Sequence, residues 1–240
     1  ALPDGGHVLT AQSVDAVGNN SAASNSWSIV VDATAPDAPA ITSVVNDLSG
    51  SPVAIADNGA TNDTLPTLNG TGEAGTTISI RVDGVEVGTT LVGAGGVWTF
   101  TPEDALAEGP HAITVVATDA AGNTGEPSPA FNLTIDTVPP VAPVITVAVD
   151  TSGSVTGDVV SDQPTDETLP LIRGTGPANA QISLYDGTTL LGTATTSATG
   201  AWSIQLTVPL GNGTHALTAT VSDAAGNTAT SGTFNLVVDN

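Results

Sequence analysis

Asp119-Ala120-Ala121-Gly122-Asn123 occurs three times in 240 residues, with one alanine changed to valine in the first copy. The others are Asp15-Ala16-Val17-Gly18-Asn19 and Asp223-Ala224-Ala225-Gly226-Asn227, at a constant step of 104 residues. Other landmarks keep that step: His7, His111 and His215; Trp98 and Trp202; Leu65-Pro66 and Leu169-Pro170. Each copy lies between two apolar runs and supplies a carboxylate, a glycine and an asparagine. Those residues favour a tight turn between antiparallel strands, here placed at one end of a repeated domain.

Working outward from the turn, the apolar positions alternate. Ile78-Ser79-Ile80-Arg81-Val82 and Phe131-Asn132-Leu133-Thr134-Ile135 are examples, and such alternation predicts half-buried strands. Strands are predicted at 40–45, 65–71, 77–82, 85–92, 97–101, 111–118 and 130–135, with a long polar loop between the first two. Asp83-Gly84 and Asp186-Gly187 are hairpin signals. Helix signals are almost absent. Seven or so short strands in about 100 residues predict an all-β chain of tandem immunoglobulin-like β-sandwich domains arranged end to end. The expected division is 1–31, the C-terminal hairpin of a truncated repeat, followed by whole repeats at 32–135 and 136–240.

Charge excludes several functions. The chain carries 24 Asp and Glu against 2 Lys and Arg, a formal net charge of −22. Nucleic acid binding is excluded, because phosphate affinity comes from basic residues. An anionic membrane surface is disfavoured for the same reason. With 40% hydrophobic residues the acidity does not mark disorder. The chain has no cysteine, so each core must hold without disulfides. No apolar run is long enough to cross a membrane as a helix.

Sandwich topology brings particular acids together. The linkers Asp32-Ala33-Thr34-Ala35-Pro36-Asp37-Ala38-Pro39 and Asp136-Thr137-Val138-Pro139-Pro140-Val141-Ala142-Pro143 are stiffened by proline. The turn at Glu73 and the turn at Asp119 are expected at the pole where the linker from Asp32 enters, and Asp223 beside Asp136. Carboxylates converging on a stiff linker repel unless neutralised. Calcium, which takes six to eight oxygen ligands, suits them. Asp32, Glu73 and Asp119 are the candidate ligands at the first linker, and Asp136 and Asp223 at the second. The competing reading is that Asp119 and Asp223 only cap their own turns. Asp57 and Asp63, with Asp158, Asp162 and Asp166 in the other repeat, form a second candidate group, for which a solvated loop is the simpler expectation. The three histidines are expected to make structural hydrogen bonds, and Trp98 and Trp202 to lie in cores. No nucleophile–base arrangement, paired acids in a cleft or phosphate loop is present, so no enzyme is expected.

Three motifs together resemble one family. They are the Asp-Ala-Ala-Gly-Asn turn, the boundary Val31-Asp32-Ala33-Thr34-Ala35-Pro36-Asp37-Ala38-Pro39, and Thr64-Leu65-Pro66-Thr67-Leu68-Asn69-Gly70-Thr71-Gly72-Glu73-Ala74-Gly75. The sequence is similar to the bacterial immunoglobulin-like extender repeats of giant biofilm-associated, type I-secreted adhesins. That resemblance implies a calcium-stiffened extender at the bacterial cell surface, supporting adhesion and biofilm formation. It also implies calcium ligands at Asp32, Asp119, Asp136 and Asp223. The third repeat departs from the pattern at Gly176-Pro177-Ala178-Asn179-Ala180, which lacks a counterpart of Glu73.

The expected partners are neighbouring repeats of the same chain, with no nucleic acid and no membrane insertion. The chain is expected to be monomeric, with residues 1–31 either frayed or weakly paired with a neighbouring molecule. The alternative function is a module that itself grips a polysaccharide or a like domain, for which Tyr185 is the obvious exposed aromatic.

Overall fold

A computed structural model describes residues 1–153 and 156–240. Contacts divide the chain into two units, Ala1–Gly59 with Asp63–Ile135, and Ala60–Asn62 with Asp136–Asn240. Among the described residues there is no helix.

The chain opens with β1 (Gly5–Leu9) and β2 (Trp27–Val31). Next come β3 (Ala40–Asn46), β4 (Val53–Ile55), β5 (Gly59–Thr61), β6 (Thr67–Thr71) and β7 (Thr77–Val82). Then follow β8 (Val85–Leu91), β9 (Val97–Phe100), β10 (Gly109–Thr118) and β11 (Phe131–Ile135). One sheet has the order β4-β3-β6-β9 and the other β5-β11-β10-β7-β8. Between them lie the inward residues of both, among them Val44, Leu68, Ile78, Ile80, Ile113, Val115 and Leu133, each at most 1% exposed. Burial of these alternate positions is what drives the pairing, since each sheet has one apolar face to remove from water.

The second set repeats the plan with β12 (Val144–Asp150), β13 (Gly157–Val159), β14 (Pro164–Thr165), β15 (Leu171–Thr175) and β16 (Gln181–Asp186). It ends with β17 (Thr189–Thr195), β18 (Ala201–Gln205), β19 (Gly213–Ser222), β20 (Thr228–Thr230) and β21 (Phe234–Val238). The sheets are β13-β12-β15-β18 and β14-β21-β19-β16-β17, with β20 added beside β19. Ile172, Ile182, Leu184, Leu217 and Leu236 fill the space between them.

Trp98 and Trp202 lie in these cores, each 4% exposed. Their indole N–H groups donate to Thr71 O and Thr175 O at 3.1 Å. Gly70 and Gly174 make room for the rings. A Cβ on Gly70 would stand 2.1 Å from Trp98 Cζ2 and 2.2 Å from the Ala40 carbonyl oxygen.

Two expectations about local structure need correction. The stretch between β3 and β6 is not a plain loop. Val53–Ile55 pairs with the edge of β3, and Gly59–Thr61 joins β11 in the opposite sheet. In the second unit β14 runs parallel to β21. A strand of two or three residues is too short to show a period. The strand predicted from Leu65 begins only at Thr67, because Pro66 cannot donate to a ladder. Residues 1–31 form a hairpin, with Leu9 opposite Trp27. Its faces lie open: Trp27 is 71% exposed and Val30 79%.

Candidate functional site

The repeated Asp-x-x-Gly-Asn stretch folds the same way three times. In each copy the Asp N–H donates to the Asn carbonyl at 3.0 Å. The glycine sits at φ +96°, +94° and +94° in Gly18, Gly122 and Gly226, a left-handed backbone that a Cβ disfavours. Asp119 Oδ1 accepts the N–H groups of Ala121 and Asn123, both at 2.9 Å. Its Oδ2 accepts the Asn123 side-chain amide at 2.8 Å. Asp223 has the same three bonds from Ala225 and Asn227. So does Asp15, from Val17 and Asn19. The Asn123 amide, more than the turn's N–H groups and against some desolvation, holds Asp119 below the usual carboxylate range. Asp119 is therefore an anion at any ordinary pH.

The asparagine also reaches outward, which the sequence did not disclose. Asn123 Nδ2 donates to the carbonyl of Asp32 at 3.1 Å, and Asn227 Nδ2 to the carbonyl of Asp136 at 2.8 Å. One amide thus bridges a turn carboxylate and the first residue of a linker 91 residues earlier. Asp32 and Asp119 are brought together in this way in the first unit, as are Asp136 and Asp223 in the second. The Asp32 and Asp136 side chains turn back on the linker, each Oδ1 accepting an N–H two residues on, from Thr34 and Val138. Glu73 is placed differently. It lines a shallow groove together with the linker residues Asp37 and Ala38. In the second unit the Asp136 N–H donates to Thr61 O at 2.9 Å, and the Asn62 N–H to Ala225 O at 3.0 Å.

The second group of acids is not gathered. Asp57 Oδ1 accepts the Asn132 N–H at 2.7 Å, and Asp162 Oδ1 accepts the Asn235 amide at 2.8 Å. Both pin their loop to the last strand. Asp166 is exposed beside Gly153, and Asp158 lies exposed on β13. Asp63 corrects the solvated-loop expectation. It is 1% exposed, and accepts the N–H groups of Leu65 at 2.9 Å and Asp47 at 3.2 Å. Glu167 stands at the same place in the other repeat, 7% exposed, accepting the Leu169 N–H and the hydroxyls of Thr151 and Ser152. The Leu169 N–H and then the Thr151 hydroxyl hold its pKa below the usual range. Asp150, 5% exposed, accepts the Thr165 hydroxyl at 2.6 Å. These are structural carboxylates, each stitching a loop through backbone donors.

Residues 36–137 and 141–240 each match the bacterial Ig-like domain family. The chain belongs to that family. No curated protein sequence matches it. Among solved structures, a biofilm-associated protein BSP domain is 21% identical, over 75% of this chain and 28% of its own length, with a TM-score of 0.31. A tetra-tandem repeat in the extending region of a large adhesion protein is 24% identical over 99% and 57%, with a TM-score of 0.32. The fibronectin(III)-like modules of Clostridium thermocellum CbhA are 14% identical over 82% and 94%, at 0.44. The chain spans less than two thirds of the first two.

What each Ig-like repeat presents to a cation can be tested on its donors. At the linker of the first repeat the oxygens are the Asp119 carboxylate, the Asp32 carboxylate and the Asp32 carbonyl. All are hard donors of the kind calcium takes, and zinc's preferred cysteine is lacking. Among the described residues no three His, Cys, Asp or Glu side chains form a metal-holding group. The Asp119 carboxylate, Asp32 Oδ1 and the Asp32 carbonyl all accept hydrogen bonds already, so a cation there would share or displace those donors. Tyr185 is half-buried, which corrects its expected exposure, and Trp27 is the exposed aromatic.

Proposed function

We propose that these Ig-like repeats form an extender segment of a bacterial cell-surface adhesin, in which calcium stiffens the foot of each repeat. The observation that carries this reading is the recurrence, one repeat apart, of a turn aspartate tied through its asparagine to the first residue of a proline-stiffened linker. Repetition supports length over chemistry. The ten residues of β10 extend roughly 33 Å at about 3.3 Å per residue.

Calcium at Asp32 with Asp119, and at Asp136 with Asp223, would replace carboxylate repulsion by attraction. A shell completed by water places its affinity in the weak range of extracellular modules, about 10⁻⁴–10⁻³ M. The test is small-angle scattering and calorimetry of the 240-residue chain in EDTA and at millimolar calcium, with magnesium as control. Calcium is expected to raise the radius of gyration and the melting temperature, and the substitutions Asp119→Ala and Asp223→Ala to abolish both changes. Identical curves in EDTA and calcium would refute the calcium part. The polysaccharide reading is not favoured, since the core counterpart of Trp27 is Phe131, which packs inward.

A further inference from the structure

His111 stands at the head of β10, and both of its ring nitrogens face oxygen. Nδ1 is 2.7 Å from Asp83 Oδ2, and Nε2 is 2.8 Å from the carbonyl of Ala107. His215, at the same place in β19, has Nδ1 2.7 Å from Asp186 Oδ2 and Nε2 2.8 Å from the carbonyl of Gly211. A carbonyl and an ionised carboxylate only accept. Neutral imidazole has one N–H, so it can satisfy one of these oxygens and must turn a lone pair toward the other. The imidazolium, with two N–H groups, satisfies both.

The two carboxylates come from different positions. Val82 pairs with Ile113, and Asp186 with Leu217, so Asp186 occupies the register of Val82 and not of Asp83. Asp83 is the next residue, in the turn itself at φ +53°. Acids one residue apart on the hairpin thus reach the same nitrogen at the same distance. A copied accident of the backbone does not explain that. His7 marks the contrast: its Nε2 is bonded to Pro3 O at 2.6 Å, and no carboxylate meets its ring.

We propose that His111 with Asp83, and His215 with Asp186, are proton-dependent clamps. Each fastens the loop before β10 or β19 to the hairpin after β7 or β16, so that this pole of the repeat loosens as pH rises. The clamps do not depend on the calcium reading, since none of their residues belongs to the calcium candidates.

The surroundings leave the imidazolium favoured. The loop before His111 carries Glu103, Asp104 and Glu108, and nearby Asp57 has its carboxylate taken by Asn132. On β7 the charged residue is Arg81, and Tyr185 holds its place in β16. The loop before His215 has no acid, and Asp162 is taken by Asn235. Side-chain exposure is 11% for His111 and 17% for His215, against 50% and 28% for Asp83 and Asp186. Burial pushes the His111 pKa down, but the Ala107 carbonyl and the Asp83 carboxylate outweigh it and leave it raised. At His215 burial is likewise outweighed, by Asp186 and then the Gly211 carbonyl. A raised folded-state pKa gives stability that is complete below the unfolded value of about 6.5 and is lost as pH rises through the folded one.

The clamps are tested on the 240-residue chain by long-range ¹H–¹⁵N imidazole spectra from pH 5 to 9, with calorimetry at pH 6 and pH 9. The His111 and His215 nitrogens are expected to be doubly protonated at pH 6.5, and to titrate at higher pH than in the urea-unfolded chain. The melting temperature is expected to fall by about 1–5 °C from pH 6 to pH 9, the range for partly exposed ion pairs. It should not fall in the double variant His111→Gln, His215→Gln. Neutral imidazole at pH 6, or the same fall in the double variant, would overturn the proposal. Should the variant not fold, the wild-type spectra decide alone.

Discussion

Replacing Asn227 by alanine removes two side-chain hydrogen bonds and leaves the turn's backbone bonds in place. The amide is bonded at 2.8 Å to the Asp136 carbonyl and at 2.9 Å to Asp223 Oδ2, and Asn227 is 8% exposed. A neutral hydrogen bond contributes about 1 kcal/mol and one to a charged group about 1.5–3 kcal/mol. Asp136 and Asp223 are only half-buried, so water can reclaim both acceptors and the sum is an upper bound. The expected loss is about 1–2 kcal/mol, which lowers the melting temperature of a 100-residue repeat by roughly 5–15 °C. Asn123→Ala should cost less, because its bond to Asp32 O is longer, 3.1 Å, and the residue is more exposed. Asn19→Ala should cost least, since its amide meets Asp15 and no linker carbonyl. Calorimetry measures the order, and limited proteolysis between Asp136 and Pro143 reads the release of the linker. A melting temperature for Asn227→Ala within about 1 °C of wild type, with the linker equally protected, would refute the reasoning.

Two further substitutions probe the cores. Gly174→Ala sets a Cβ 2.1 Å from the Val144 carbonyl oxygen and 2.3 Å from Trp202 Cζ2; a rigid ring and a backbone cannot both yield. It is expected to cost about 3 kcal/mol or more and to erase the near-ultraviolet dichroism of Trp202, as Gly70→Ala should for Trp98. Thr165→Val keeps the shape but removes the donor to Asp150 Oδ2 and the acceptor of the Glu167 N–H. With Thr165 and Asp150 each 5% exposed, the expected loss is about 1–3 kcal/mol, read as a lower midpoint in urea at unchanged slope.

Where a residue's task is set by its immediate neighbours in sequence, it could be read in advance. The 104-residue step, the alternation in Ile78-Ser79-Ile80 and the glycine of the turn each follow from a local period or a dihedral need. That placed the sandwich, the turns and the core tryptophans. The candidate site was half legible. Strand topology put Asp119 at the pole of the Asp32 linker, but which atoms meet there depends on side-chain reach across 91 residues. The asparagine, read as a turn former, turned out to be the connector. Its presence in all three copies, and the two donors of its amide, were the available signals. Asp63 and Glu167 were illegible for a different reason. A carboxylate in a loop looks solvated until the backbone donors folding over it are known, and those come from residues in irregular structure.

The same amide bears on how calcium would act. Asn123 now turns Nδ2 toward two oxygens, a carboxylate and a carbonyl, where it serves as a neutral substitute for a cation. A carboxamide carries an acceptor at its other end. Turning the group over would present Oδ1 to the same place, adding one ligand of the kind calcium uses. Asp119 Oδ2 accepts one hydrogen bond and keeps a second acceptor direction, so an ion could join the amide there or displace it. Where a cation did displace the amide, its net effect would be the difference between the two interactions. The amide already satisfies the Asp119 carboxylate in the first unit and the Asp223 carboxylate in the second, so these acidic turns hold their shape by hydrogen bonds alone in a chain with a net charge of −22.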